Sequence, residues 1–293
     1  MNIYIHSDAP LLKRLKDSPI DGVVLGVRPF AQRMRETYVP KDLAPLINDA
    51  RNQGKRVLLN MNAIIHEGDL EALDHVFTEI KGLDFEGILF ADLAIANKAR
   101  DHGLNDRLIY DAETYLTNHQ DMVFWEEEGI QGAIGARQLT IDDILEISGK
   151  SGLPFGILGH GHVNMFHSAR PLVENFFRHT DEEVPKQYNN TRVELVEHKR
   201  KDEPYPTYQD DFGTHVFRSK PMHGFNVIER LKDAIDYFIV DTLFYSEDRV
   251  VEIARDLMKA RDEGVDAALL ARYEDHDEGF LHKKTVFKQG TVR

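Results

Sequence analysis

The sequence predicts an α/β protein built as a (β/α)8 TIM-like barrel, and three observations predict it. Short runs rich in Ile, Val and Leu recur along the chain. Longer amphipathic stretches separate them, and several of these stretches end at a glycine. Most of the short runs do not alternate apolar with polar residues, which suits parallel strands covered on both faces.

Taken in order, the expected strands are Ile3-Tyr4-Ile5, Gly22 to Val27, Arg56 to Met61, Gly87 to Ala91, Leu108 to Tyr110, Gly132 to Gly135, Phe155 to Leu158 and Tyr237 to Val240. Leu43 to Gln53, Asp69 to Lys81 and Thr117 to Glu128 read as helices, stopped by Gly54, Gly82 and Gly129, because glycine readily takes the left-handed conformation that ends a helix. Thr140-Ile141-Asp142-Asp143 reads as an N-cap with acids in the first turn of a helix reaching Gly149. Glu247 to Arg261 is strongly amphipathic. A doubly wound open sheet shares this alternation, and spacing alone does not close a barrel. The whole chain, residues 1–293, is expected to form a single domain, with residues 178–230 as a β-rich insertion between helix seven and strand eight. Within it, Thr191 to Val196 alternates like a strand. Lys199-Arg200-Lys201-Asp202-Glu203 reads as a hairpin tip, with Tyr205 to Tyr208 and Thr214 to Phe217 returning. A stretch from Gly279 to Phe287 follows the last helix.

Composition narrows the function classes. Apolar residues make up 42% and charged residues 29%, ordinary values for a folded globular chain. The balance of 36 basic against 50 acidic residues gives −14, so phosphate backbones are repelled unless basic side chains cluster on one face. With no cysteine, the chain forms no disulfide, thiolate zinc site, cysteine nucleophile or cysteine-held iron–sulfur cluster. The start MNIYIHSDAP shows no signal-peptide pattern, and no apolar run approaches the roughly 18 residues of a membrane span. No membrane association and a cytoplasmic location are the expectations.

In a parallel barrel, function gathers at the C-terminal strand ends. Those ends supply His6, Ser7, Asp8, Arg28, Asn60, Asn62, Asp92, Asp111, Glu113, Arg137, His160, His162 and Asp241. The densest segment runs from Gly159 through His160, Gly161, His162, Asn164 and Ser168 to Arg170, with two glycines that let the backbone turn after the strand. His160-x-His162 puts two imidazoles on one side of an extended chain, which a divalent metal can use if His6, Asp8, Asp92 or Asp111 completes the set. The alternative is a chance pairing in a chain with 14 histidines. Ser168 lacks the Gly-x-Ser-x-Gly elbow of a hydrolase and reads more simply as the N-cap of a helix than as a nucleophile. Arg28, Arg33, Arg35, Arg137 and Arg170 either form a basic mouth for an anionic ligand or stand as solvated arginines. Trp125 is expected to pack a helix on the barrel. Neither a nucleotide-binding glycine loop nor His-Glu-x-x-His is present.

Several segments together resemble the peptidase U32 family: Leu25 to Arg33, Leu59 to Glu67, Thr117-Asn118 with Phe124-Trp125, Ala136 to Leu139, Asp211-Phe212-Gly213-Thr214, and Gly279 to Val286. His160-Gly161 and Ser168-Ala169-Arg170 match the family signature, while Asn164 and Pro171 stand at its cysteine positions and Met222 falls near a further one. The resemblance implies a nominal peptidase. It also implies a second reading, since other members hydroxylate wobble uridine in tRNA using prephenate. The short cysteine-less form is similar to the partner subunit of a two-protein version, in which a cysteine-bearing paralogue carries the cluster, and tRNA is met through the complex. On this resemblance His160, Asn164 and Arg170 would be catalytic. Arg28, Arg33, Asn62, Asp92, Glu113, Asn118, Arg137 and Ser168 would line the binding site. A metal-dependent hydrolase using His160 and His162, and a non-catalytic scaffold, remain the other readings.

Overall fold

In a computed structural model describing residues 1–184 and 193–283, the runs Gly22–Val27, Gly87–Phe90 and Tyr237–Val240 are buried along their whole length, as strands covered inside by each other and outside by helices must be. In chain order the strands are β1 (Asn2–His6), β2 (Gly22–Val27), β3 (Thr37–Tyr38), β4 (Arg56–Met61), β5 (Gly87–Phe90), β6 (Leu108–Tyr110), β7 (Gly132–Ile134), β8 (Phe155–Gly161), β9 (Asn164–Ser168), β10 (Val193–Glu197), β11 (Arg200–Asp210), β12 (Gly213–Phe217), β13 (Met222–His223) and β14 (Tyr237–Val240). The helices are α1 (Ala9–Arg14), α2 (Pro40–Asn52), α3 (Leu70–Ile80), α4 (Leu93–Asp101), α5 (His119–Glu127), α6 (Ile141–Gly149), α7 (Leu172–His179), α8 (Phe225–Leu231), α9 (Glu247–Glu263) and α10 (Ala267–Leu270).

Eight strands, β1, β2, β4, β5, β6, β7, β8 and β14, pair in that order, all parallel. The ring closes where β14 pairs with β1, Ile3 standing beside Phe238. Closure decides against the open sheet. It also places all eight C-terminal strand ends on one rim. A single apolar cluster fills the barrel and the layer beneath the helices. Trp125 packs a helix on the barrel as expected: it is 7% exposed, with its ring 4.4 Å from that of Tyr110 and edge-on to Phe90 at 5.6 Å. No described helix is long and apolar enough to cross a membrane.

Helix starts follow local chemistry. Thr140 and Asp143 form a reciprocal capping box at α6. Helix α2 begins at Pro40, three residues ahead of the apolar pattern, because proline is pre-set for the first helical position and gives up only an N–H that would be unpaired there. The β-rich insertion differs in extent from its expected span. Its antiparallel sheet has the order β10-β11-β12-β9, so it recruits Asn164–Ser168, ahead of residue 178. The expected hairpin tip at Lys199–Glu203 is shorter, since β11 already begins at Arg200 and runs unbroken through Tyr205 to Tyr208. Thr191 and Arg192, and the tail from Lys284 to Phe287, lie outside the described residues. The sheet is tied to the barrel by Tyr208, whose hydroxyl donates to Met34 O at 3.2 Å.

The glycines of β8 do different work from a turn after the strand. The strand continues through both. Gly159 lies under the ring of Phe238, where a Cβ would come within 2.1 Å of Cζ. Gly161 takes φ +119°, which ends the regular strand and re-aims the next side chain. Gly159→Ala should therefore lose about 1–3 kcal/mol in urea unfolding, because the ring has no room to retreat in a filled barrel. Gly149→Ala, where a Cβ meets nothing within 4 Å, should stay within about 0.5 kcal/mol.

Candidate functional site

The closed ring brings residues far apart in sequence around one cavity at the C-terminal rim. His6 arrives from β1, Asn60 from β4, and Arg33 and Asn62 from the loops after β2 and β4. Asp111 and Glu113 follow β6, Arg137 follows β7, His162 follows β8 and Asp241 follows β14. The insertion adds Asn164 and Phe217 from one side.

An ion-pair network organises this mouth. Arg33 Nη2 donates to Glu113 Oε1 at 2.7 Å. Arg137 Nη2 donates to Asp111 at 2.9 Å and lies 3.8 Å from Glu113. Both members of the Arg33–Glu113 pair have left-handed backbones, φ 57° and 63°, an unfavourable conformation for such side chains that surrounding structure must hold. The insertion supplies part of that hold: Arg33 N donates to Asp210 Oδ2 at 2.9 Å, and Asp210 in turn meets the buried His215 at 3.1 Å. Asn164 stands beside Glu113, with 3.5 Å between its side-chain amide and Oε2.

The electrostatics follow from burial and pairing. Burial alone would raise the Glu113 carboxyl, but Arg33 and Arg137 outweigh it and hold the group below its usual range. Burial wins at Asp111, which is raised despite Arg137. Asp241 is pushed up to about 6, first by burial, while the N–H of Leu243 and Arg33 work the other way. Burial, then Arg137 and Arg33, lower His6 to about 4, keeping its imidazole neutral near pH 7. The expected basic mouth is thus corrected: Arg33 and Arg137 are already matched to acids, Arg35 is bound to Asp8 at 2.8 Å, and three carboxylates share the floor with two guanidinium groups.

Above the floor the mouth widens into a groove of about 490 Å³. Asn62, Glu113 and Asn164 reach both levels, while Tyr110, Tyr115 and Phe166 give the groove aromatic walls. Asp92 lines it too, with one carboxylate oxygen capping α4 at Ala94 N and the other holding Ile65 N.

Other expected site residues lie elsewhere. His160 is fully buried between Phe225, Tyr245, Tyr273 and His276, away from the cavity. Burial, then the neighbouring His276 and His223, drives its pKa well down. His162 instead reaches the mouth, with Nδ1 3.1 Å from Arg218 O. The two imidazoles do not share one carboxylate-completed site, and among the described residues no group of three or more His, Asp or Glu is placed to hold a metal. Arg28 is exposed and reaches Thr37 Oγ1 at 3.1 Å in a separate groove. Asn118 caps α5 through the N–H groups of Gln120 and Asp121. Ser168 is a strand residue of β9, not an N-cap, and its Oγ accepts from Arg170 N at 3.3 Å. Pro171 takes the position before α7, leaving Arg170 exposed beside it. Of the three residues expected to be catalytic, Asn164 alone lines the mouth. Asn164 and Pro171, standing where the U32 signature has cysteine, offer no thiolate, so a cysteine-held cluster does not fit this chain.

Two residues of the site escaped sequence reading. Among the described residues nothing donates to the Gln32 side-chain oxygen, yet its Nε2 donates to Asn62 O at 2.7 Å and its own N–H donates to Asn62 Oδ1 at 2.9 Å. Asp210 belongs to the insertion, which the strand-end rule does not cover. A glutamine set among arginines in the loop after β2 was the available signal.

The family model for Peptidase family U32 matches residues 9–285. Over 282 residues the chain is 25% identical to tRNA hydroxylation protein P2 of Bacillus subtilis, covering 90% of this chain and 91% of that protein. Identity to tRNA hydroxylation protein P1 of the same organism is 22%, over 53% of this chain and 37% of P1. Against tRNA hydroxylation protein P of Escherichia coli it is 22%, over 71% and 45%. The solved U32 peptidase Mk0906 is 14% identical, with a TM-score of 0.49 over 82% of this chain and 92% of that one.

Asp241 gives a signed pH prediction. Its folded pKa of about 6 exceeds the ordinary 3.8, so the fold prefers the neutral acid, and this contribution to stability fades as pH rises through that window. Asp241→Asn should raise the midpoint of thermal unfolding relative to the parent at pH 8, and the gap should shrink by pH 4. Equal shifts at both pH values would contradict the assignment.

Proposed function

The chain belongs to peptidase family U32, and from that membership and the mouth's geometry we propose that it is one subunit of a tRNA-hydroxylating system acting on the wobble uridine. One observation carries this reading above the others: the match to tRNA hydroxylation protein P2 runs nearly end to end in both proteins. The matches to P1 and P span less than half of those longer proteins. In this reading a cysteine-bearing paralogue supplies the redox centre, because this chain has no cysteine with which to hold one. This chain contributes the mouth, where Arg33, Arg137, Glu113 and Asn164 orient a bound molecule and the aromatic-walled groove shields it from water. The net charge of −14 disfavours direct tRNA binding by the isolated chain and agrees with tRNA being met through a complex.

Hydrolysis has less behind it. Ser168 Oγ is engaged with a backbone N–H rather than an imidazole, and His160 sits in the core. Deleting the gene in its native host should lower hydroxylated uridine in bulk tRNA at least tenfold, read by nucleoside mass spectrometry. Restoring this chain alone, in a strain also lacking the cysteine-bearing paralogue, should not recover it. Unchanged hydroxylation in the single deletion would refute the reading.

A further inference from the structure

Among the described residues, two polar atoms at the floor of the mouth have no hydrogen-bond partner, Gln32 Oε1 and His6 Nδ1, while Asp111 Oδ1 lies 2.9 Å from Arg137 Nη2 in an ion pair. Gln32 is 5% exposed and Asp111 is 9% exposed, so bulk water does not readily serve them. Gln32 Nε2 donates to Asn62 O, and both Asp111 oxygens lie 2.9 Å from Arg137 Nη2. What remains at Gln32 Oε1 can only accept. The local charge argues the same way, because an entering carboxylate or phosphate would meet Asp111, Glu113 and Asp241 and would have to draw Arg33 or Arg137 out of existing pairs.

We propose that the floor of the mouth binds the uncharged head of a small molecule through an N–H or O–H donor given to Gln32 Oε1, and that it rejects carboxylate and phosphate heads. The free space at the floor is about 30 Å³, enough for one small polar group. The body of the ligand lies in the wider groove, against Tyr110 and Phe166. This rests on the cavity's chemistry and not on the tRNA reading, and the binding test contains no tRNA, so either can fail alone.

The test is a ligand-observed NMR titration of the full chain with four probes: uracil for imide N–H donors, ribose for hydroxyls, malonate and inorganic phosphate. Uracil or ribose should bind at least about tenfold tighter than either anion, and whichever binds identifies the donor type. Gln32→Met should weaken that probe about tenfold, the scale of one lost buried hydrogen bond. If Gln32→Met fails to fold by circular dichroism, the ranking of the four probes on the parent chain decides the proposal by itself. Anions binding as tightly as the donors, no binding by any probe, or no effect of Gln32→Met would overturn the proposal.

Discussion

The mouth of this barrel depends on two guanidinium groups set among three buried or half-buried carboxylates. Arg33 meets Glu113 at 2.7 Å and Arg137 meets Asp111 at 2.9 Å. Each charge would be costly alone in such a place, and each is tolerable only because its partner is there. The pairing also accounts for features around it. Two side chains with left-handed backbones are kept in place, the insertion is anchored through Asp210 to the backbone of Arg33, and the rim's arginines are turned from a free basic surface into a matched polar floor.

Much of the fold was legible because barrel strands carry a simple signal. Runs such as Gly22–Val27 and Tyr237–Val240 are apolar throughout since both faces are covered, and glycine and threonine mark helix ends by local chemistry. The insertion was harder to delimit. Asn164–Ser168 is a half-exposed strand whose partner, β12, lies some fifty residues on, and nothing local distinguishes it from a loop. The site shows the same division. Strand-end counting found Asp111, Glu113, Arg137 and His162, whose positions follow from topology. It misplaced His160, because a side chain two residues away from a mouth residue on the same strand was expected to share its surroundings. The φ of +119° at Gly161 breaks that rule. It missed Gln32, a loop residue with no periodic pattern.

The family label does not by itself say what this chain holds. The described residues assemble a paired polar floor beneath an aromatic-walled groove, an arrangement suited to holding and orienting a polar ligand. Fold and family set the architecture, and the site determines what can be bound there.

A double-mutant cycle on Arg33→Met and Glu113→Gln, followed by urea unfolding, tests the central claim most directly. If the pair organises the mouth, the two substitutions should couple by about 1–3 kcal/mol, each single change costing more than its share of the double. Strictly additive losses, with coupling below about 0.3 kcal/mol, would mean that the two side chains are only neighbours and that something else holds the mouth together.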